Sequence, residues 1–171
     1  MRKFFNLCFA ANIILGIYSF FVLPPRVATH FGRGGMPDGW APLSMHTLLF
    51  FGIEVVFFLA ITFSPGLMLK TPPRWLNLPH KDFWLKPENR ERTATLVSKL
   101  MWRFGAALFL FFFVLGLLSL KANLSDPVRL DERSLFWALG IFGVYIIAWS
   151  ISLTRAFRIP DDNRGGTGTA G

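Results

Sequence analysis

The chain has 171 residues, 53% hydrophobic and 16% charged, with a formal net charge of +8, twenty Phe, two Tyr and one cysteine. Ordinary globular chains carry about 25% charged residues, and a soluble domain this poor in them cannot cover its surface. The composition excludes a typical soluble enzyme, a disordered chain and a collagen-like fibre; the lone Cys8 excludes an intramolecular disulfide framework or a multi-cysteine metal site.

The first predicted element is the uncharged run Phe5–Leu23. It meets the requirement of about 20 apolar residues for a membrane-spanning helix. Arg2 and Lys3 precede it, as in a signal peptide. However, it exceeds the usual apolar region of about 7–15 residues and runs into Leu23-Pro24-Pro25-Arg26 without a small-x-small cleavage site. We read it as an uncleaved anchor. The next segment, Pro24–Pro42, reads PPRVATHFGRGGMPDGWAP. Its glycines and prolines stop a helix. Gly34-Gly35 and Pro37-Asp38-Gly39 are turn signals, with Asp38 expected to accept backbone N–H bonds and Gly39 expected to need a positive φ. The expectation is an ordered external loop that fixes His30 and Trp40, with Trp40 at the lipid headgroups. The alternative is a plain linker.

The second span, Leu43–Phe63, contains one acid, Glu54. After it, Pro65–Leu85 interleaves Trp75, Phe83 and Trp84 with Lys and Arg, the composition of a segment lying on the inner membrane surface. Nucleic-acid stacking uses the same residue types, but the flanking spans favour lipid, and no nucleic-acid partner is expected. Pro87 suits the first position of a helix, Glu88 and Glu91 suit its first turns, and Leu96, Val97, Leu100 and Met101 continue an apolar stripe. The third helix is therefore predicted over 88–120, with a cytoplasmic extension before the uncharged Phe104–Leu120. Arg103 and Lys121 bracket that run and can snorkel outward. Lys121–Arg133 reads as a connector only. The fourth span is Ser134–Thr154, and the polar tail 160–171 is expected to be disordered. All four spans are apolar on every side, as lipid-facing helices are.

The predicted fold is an all-α integral membrane protein with four transmembrane helices, at about 5–23, 43–63, 88–120 and 134–154, in one domain over 1–159. Thirteen Lys and Arg fall on the side of the N-terminus, second loop and tail, against five in the other two loops. The positive-inside rule then places both termini in the cytoplasm, with the basic residues meeting anionic lipid.

Few residues carry chemistry. At about 1.5 Å per residue, Asn12, Glu54 and Tyr145 lie roughly 11–14 Å from the inner helix ends. The shared depth suggests an interhelical polar cluster, either packing glue or a proton or ligand site. His30, Asp38 and His46 match no compact metal-ligand motif. No Ser-His-Asp signature, HExxH, P-loop or GxGxxG is present. No cofactor, metal or catalytic residue is expected. Cys8 reads as a small apolar residue, and Ala148 and Ser152 as a weak helix contact face.

LPPRVATHFGRGGMPDGW resembles the LP-x-x-V-x-x-HF-x-x-x-G-x-PDGW block of the bacterial membrane family of the domain of unknown function 1648. Pro24, Val27, His30, Phe31, Gly35, Pro37, Asp38, Gly39 and Trp40 fall on that pattern. NLPHKDFWLKPENRER is similar to the N-x-P-x-KD-Y-W-L-x-P-E-x-R stretch of short members, through Asn77, Pro79, Lys81, Asp82 and Trp84, with Phe83 in place of Tyr. The resemblance implies a multi-pass protein of the bacterial cytoplasmic membrane with no established catalytic activity. Some longer members add a domain like that of sporulation-delay toxin immunity proteins, whose Gly-Ile-Arg-Thr-Pro-Trp pattern this chain lacks. The expected function is a non-catalytic binding, signalling or immunity-like module that meets an extracytoplasmic ligand or another membrane protein. The alternatives are an accessory subunit of a membrane complex, or an ion-coupled carrier or enzyme using Glu54.

Overall fold

The structure, a computed structural model, describes residues 1–159. The tail 160–171, expected to be disordered, lies outside the described residues. Helix α1 (Arg2–Val22) ends where Leu23 turns extended ahead of Pro24-Pro25, which cannot continue a helix. Strands β1 (Arg26–Phe31) and β2 (Pro37–Pro42) follow, then α2 (Leu43–Lys70), the short α3 (Lys81–Trp84), α4 (Arg90–Asn123) and α5 (Glu132–Ala156). Four helices are long and apolar enough to cross a membrane. This is the architecture of a multi-pass membrane protein, with lipid against its apolar faces.

α4 is the hub of the bundle: α1, α2 and α5 all pack on it, and α1 also meets α2. Between helices in lipid there is little hydrophobic driving force, so close packing carries the association. Phe5, Ile61, Ala106 and Phe109 form the central layer, and Phe9 stacks on Phe58 at 4.2 Å. Gly105 permits this approach, because a Cβ there would lie 2.6 Å from the Phe5 ring. Leu15, Leu23, Val27 and Leu120 pack at the hairpin end; Trp84, Leu100 and Phe157 pack at the opposite end.

The elements depart from expectation in four places. The first loop is not helix-free coil in an all-α chain but an antiparallel β-hairpin, paired from Arg26↔Pro42 to Phe31↔Pro37 with irregular register around His30. Its reversal lies at Gly32–Met36, where Gly34 and Gly35 take φ of 75° and 71°. Only glycine adopts that region without strain. Pro37-Asp38-Gly39, read as the turn, instead opens β2, where Pro37 sits at a strand's first residue, a position that tolerates its missing N–H.

α2 continues past the expected end at Phe63 to Lys70, through Pro65. Proline removes the N–H that would bond the Ile61 carbonyl, and the Ser64 hydroxyl donates to that carbonyl instead, at 3.0 Å. Pro87–Asn89 forms a single tight turn, so α4 proper begins at Arg90 rather than Glu88. Finally, 124–131 is more than a connector, because its backbone docks the hairpin.

Candidate functional site

The hairpin is fastened to the bundle by side chains that bond backbone. Asn123, at the end of α4, accepts from the Ala28 N–H at 2.7 Å and donates to the Ala28 carbonyl at 3.1 Å. One amide thus pairs both polar groups of a β1 residue, as a neighbouring strand would. Asn123 is 6% exposed and Ala28 fully buried, so leaving those groups unpaired would be costly.

The turn is held from the other side. Leu130 N–H donates to the Gly35 carbonyl at 2.9 Å, Arg129 Nε to the Gly34 carbonyl at 2.8 Å, and Gly34 N–H to Glu132 Oε1 at 2.8 Å. A Cβ on Gly35 would collide with the Leu130 carbonyl oxygen. Asp131 caps α5 by accepting from Ser134, and the Ser134 hydroxyl and N–H hold its carboxyl below the usual carboxylate range.

On the exposed face of the hairpin, His30 Nδ1 and Asp38 Oδ1 form a short pair across the strands. Asp38 therefore bonds an imidazole and not the turn N–H groups expected of it. Gly39 has no positive φ; it is needed because a Cβ there would lie 2.8 Å from His30 Cβ. Phe31 is half-buried opposite Pro37, and Trp40, opposite Ala28, is 42% exposed. Among the described residues no group of three metal-ligating side chains converges.

Beneath the hairpin, α1, α2 and α4 line a partly open cavity of about 600 Å³. Thr29 and Ala41 roof it; Leu15, Phe50 and Phe112 make apolar walls; Ser19, Thr47 and Ser119 add hydroxyls. Glu54 lines it, 1% exposed, and neither carboxylate oxygen has a hydrogen-bond partner among the described residues.

The expected trio of Asn12, Glu54 and Tyr145 is not joined by hydrogen bonds among the described residues. Asn12 Nδ2 donates to the Cys8 and Phe109 carbonyls at 2.9 and 2.8 Å, stitching α1 to α4. Tyr145 is half-buried on α5, beside Phe142 and on a helix that packs against α4. Helical rise fixes how deep a residue lies, but its azimuth decides what it meets.

At the opposite end, the second motif divides. Trp84, expected on the membrane surface, is 2% exposed and sits inside protein. Its Nε1 donates to the Phe157 carbonyl at 2.8 Å, its carbonyl accepts from Thr93 Oγ1 at 2.7 Å, and the Arg92 guanidinium lies 5.4 Å from its ring centre. Asn77, Lys81 and Asp82 are exposed and Pro79 half-buried. Trp75 keeps the surface character expected of the segment, at 72% exposed.

The residues that sequence reasoning missed are Asn123, Arg129, Leu130 and Glu132. Their partners lie about a hundred positions away in the chain, so no local pattern marks them.

A family described as "Domain of unknown function (DUF1648)" matches residues 7–55. The matched stretch runs from α1 through the hairpin to the residue after Glu54 and stops short of Asn77–Arg92. No curated protein and no solved structure matches the chain.

Proposed function

We propose that this chain is a non-catalytic binding and signalling module of a bacterial cytoplasmic membrane, with the hairpin outside and both termini inside. The observation that carries this reading is the cavity of about 600 Å³ roofed by a hairpin fastened from two sides. That volume falls in the range of about 300–1,000 Å³ typical of small-molecule sites. The lining is mainly apolar with a few polar groups, the composition of a site that binds an amphiphile. The matched family region covers α1, the hairpin and the first half of α2, including Glu54. Toxin immunity is one form such a module takes.

A relay follows from α4. One end of this helix clamps the hairpin through Asn123, and near its other end Thr93 bonds the Trp84 carbonyl. A ligand that shifts the wall of the cavity moves an element shared by both ends. The basic surface around Arg74 and Trp75 then lies on anionic lipid.

The test is native mass spectrometry of the full chain released from the membrane of the cells that express it. The wild type is expected to carry a small-molecule adduct that Ser119→Trp, which puts an indole into the cavity, does not. Identical adduct profiles would sink the reading.

A further inference from the structure

The cavity's lining specifies the charge of its occupant. Glu54 borders it, almost wholly buried, with both oxygens unpartnered among the described residues. An isolated carboxylate in an apolar interior is costly, and such groups mark sites when they face a cavity. No Lys or Arg lines the space. The other titratable group there is His46, two helical turns along α2, about 12 Å away at 1.5 Å per residue. The walls from α1 and α4 add no charge, and the hairpin contributes Thr29 and Ala41. Phe50 and Phe112 supply rings, whose faces attract cations. Met45, Leu49 and Ile53 of α2, each 50–55% exposed, form a rim that opens sideways towards lipid.

We propose that this cavity binds amphiphilic organic monocations: an alkylammonium or quaternary ammonium head against the Glu54 carboxylate, with the apolar body along Phe50 and Phe112. The proposal rests on the binding reading above and adds the charge and class of the ligand. The site offers one acid, two aromatic rings and no Lys or Arg, and pairing a cation with the ionised acid leaves the buried site neutral. An anionic amphiphile would place like charges together at low dielectric, where repulsion is strong. A neutral amphiphile would gain nothing from an ionised carboxylate.

The full chain in phosphatidylcholine nanodiscs is titrated calorimetrically with decyltrimethylammonium, decanol and decyl sulfate, with empty nanodiscs as background. The cation is expected to bind saturably at one site, decanol at least about tenfold more weakly, and decyl sulfate not at all. Glu54→Gln should weaken the cation at least about tenfold and leave decanol unchanged, while Glu54→Asp keeps most of the cation affinity. Ser119→Trp should abolish binding while leaving Glu54 in place. If Glu54→Gln does not fold, the cation–decanol ratio in wild type decides alone. Equal binding of cation and decanol, or of wild type and Glu54→Gln, overturns the monocation assignment and leaves the binding reading standing. No binding of any probe, with the native adduct still present, overturns the assignment alone. Loss of that adduct as well removes both.

Discussion

The two ends of the bundle are closed in different ways. At the hairpin end, a β-hairpin rests on hydrogen bonds from Asn123, Arg129 and Leu130, and a cavity lies beneath it. At the opposite end, the irregular segment 71–89 folds around Trp84, which fills the space between α4 and the end of α5. One closure is polar and directional and roofs a mainly apolar hollow; the other is aromatic, with Trp84 buried among Leu100 and Phe157. Directional bonds position a segment without filling the space under it, whereas a buried indole fills the space it occupies, and the hollow of about 560 Å³ beside Trp84 is lined largely by charged residues, Glu88, Glu91, Arg92 and Lys99. The difference fits the proposed division, with ligand binding at the first end and anchoring at the second.

The comparison is most sharply tested at Trp84. Truncating a buried Trp to Ala typically costs about 3–5 kcal/mol, and this indole also loses a hydrogen bond and an Arg92 contact. Trp84→Ala should therefore lower thermal stability in detergent more than any single hairpin substitution. Trp84→Phe should recover most of the loss, leaving about 1–3 kcal/mol for the unpaired Phe157 carbonyl. A Trp84→Ala variant as stable as wild type would mean that the opposite end is not a packed anchor.

Next in size is Gly35→Val. It forces a side chain onto the Leu130 carbonyl at a positive φ that β-branched residues resist. The turn escapes by undocking, so the cost is bounded by the bonds it gives up, each worth about 0.5–1.5 kcal/mol. The effect should be local. Hydrogen exchange at Gly34, Gly35 and Leu130 should accelerate strongly while the exchange of α4 amides near Phe109 stays at the wild-type rate. Slow exchange at Leu130 in the variant would show that the loop does not hold the hairpin.

What the sequence discloses follows the range of the interactions. The spans are legible because apolar runs are local, and each predicted helix overlaps one in the structure. The hairpin is legible as ordered but not as β, because Pro37, two adjacent positive-φ glycines and irregular pairing at His30 hide the strand alternation. Asn123 reads as an ordinary polar residue at a helix end, and only the folded chain brings Ala28 to it. Trp84 shows the reverse error. Aromatic residues among Lys and Arg describe a membrane surface and an internal plug equally well, and the packing of Phe157 decides for the plug. Glu54 stands out in the sequence as the one acid within a span, but depth along a helix does not disclose its neighbours, and no hydrogen bond joins it to Asn12 or Tyr145 among the described residues.

The smallest effect on stability belongs to Asp38. Its pairing with His30 is exposed, with side chains 52% and 75% accessible, and even a charged pair so exposed contributes only about 0–1 kcal/mol. Asp38→Ala should leave the thermal midpoint nearly unchanged and should not open the hairpin to external protease, because the clamps at Ala28, Gly34 and Gly35 do not involve it. This reverses what a turn-capping aspartate would do. What changes is the orientation of the imidazole, since the carboxylate selects the Nδ1–H tautomer and fixes the ring. The glycines at 32 and 39 make room for this pair: a Cβ at either would come within 2.8 Å of Asp38 or His30. Space reserved for an interaction that adds so little stability is accounted for if the hairpin presents His30 to something beyond the chain. Limited proteolysis of Asp38→Ala beside Gly35→Val separates the two roles. Cleavage of both variants at the same rate would return Asp38 to a structural part and remove His30 from the binding surface.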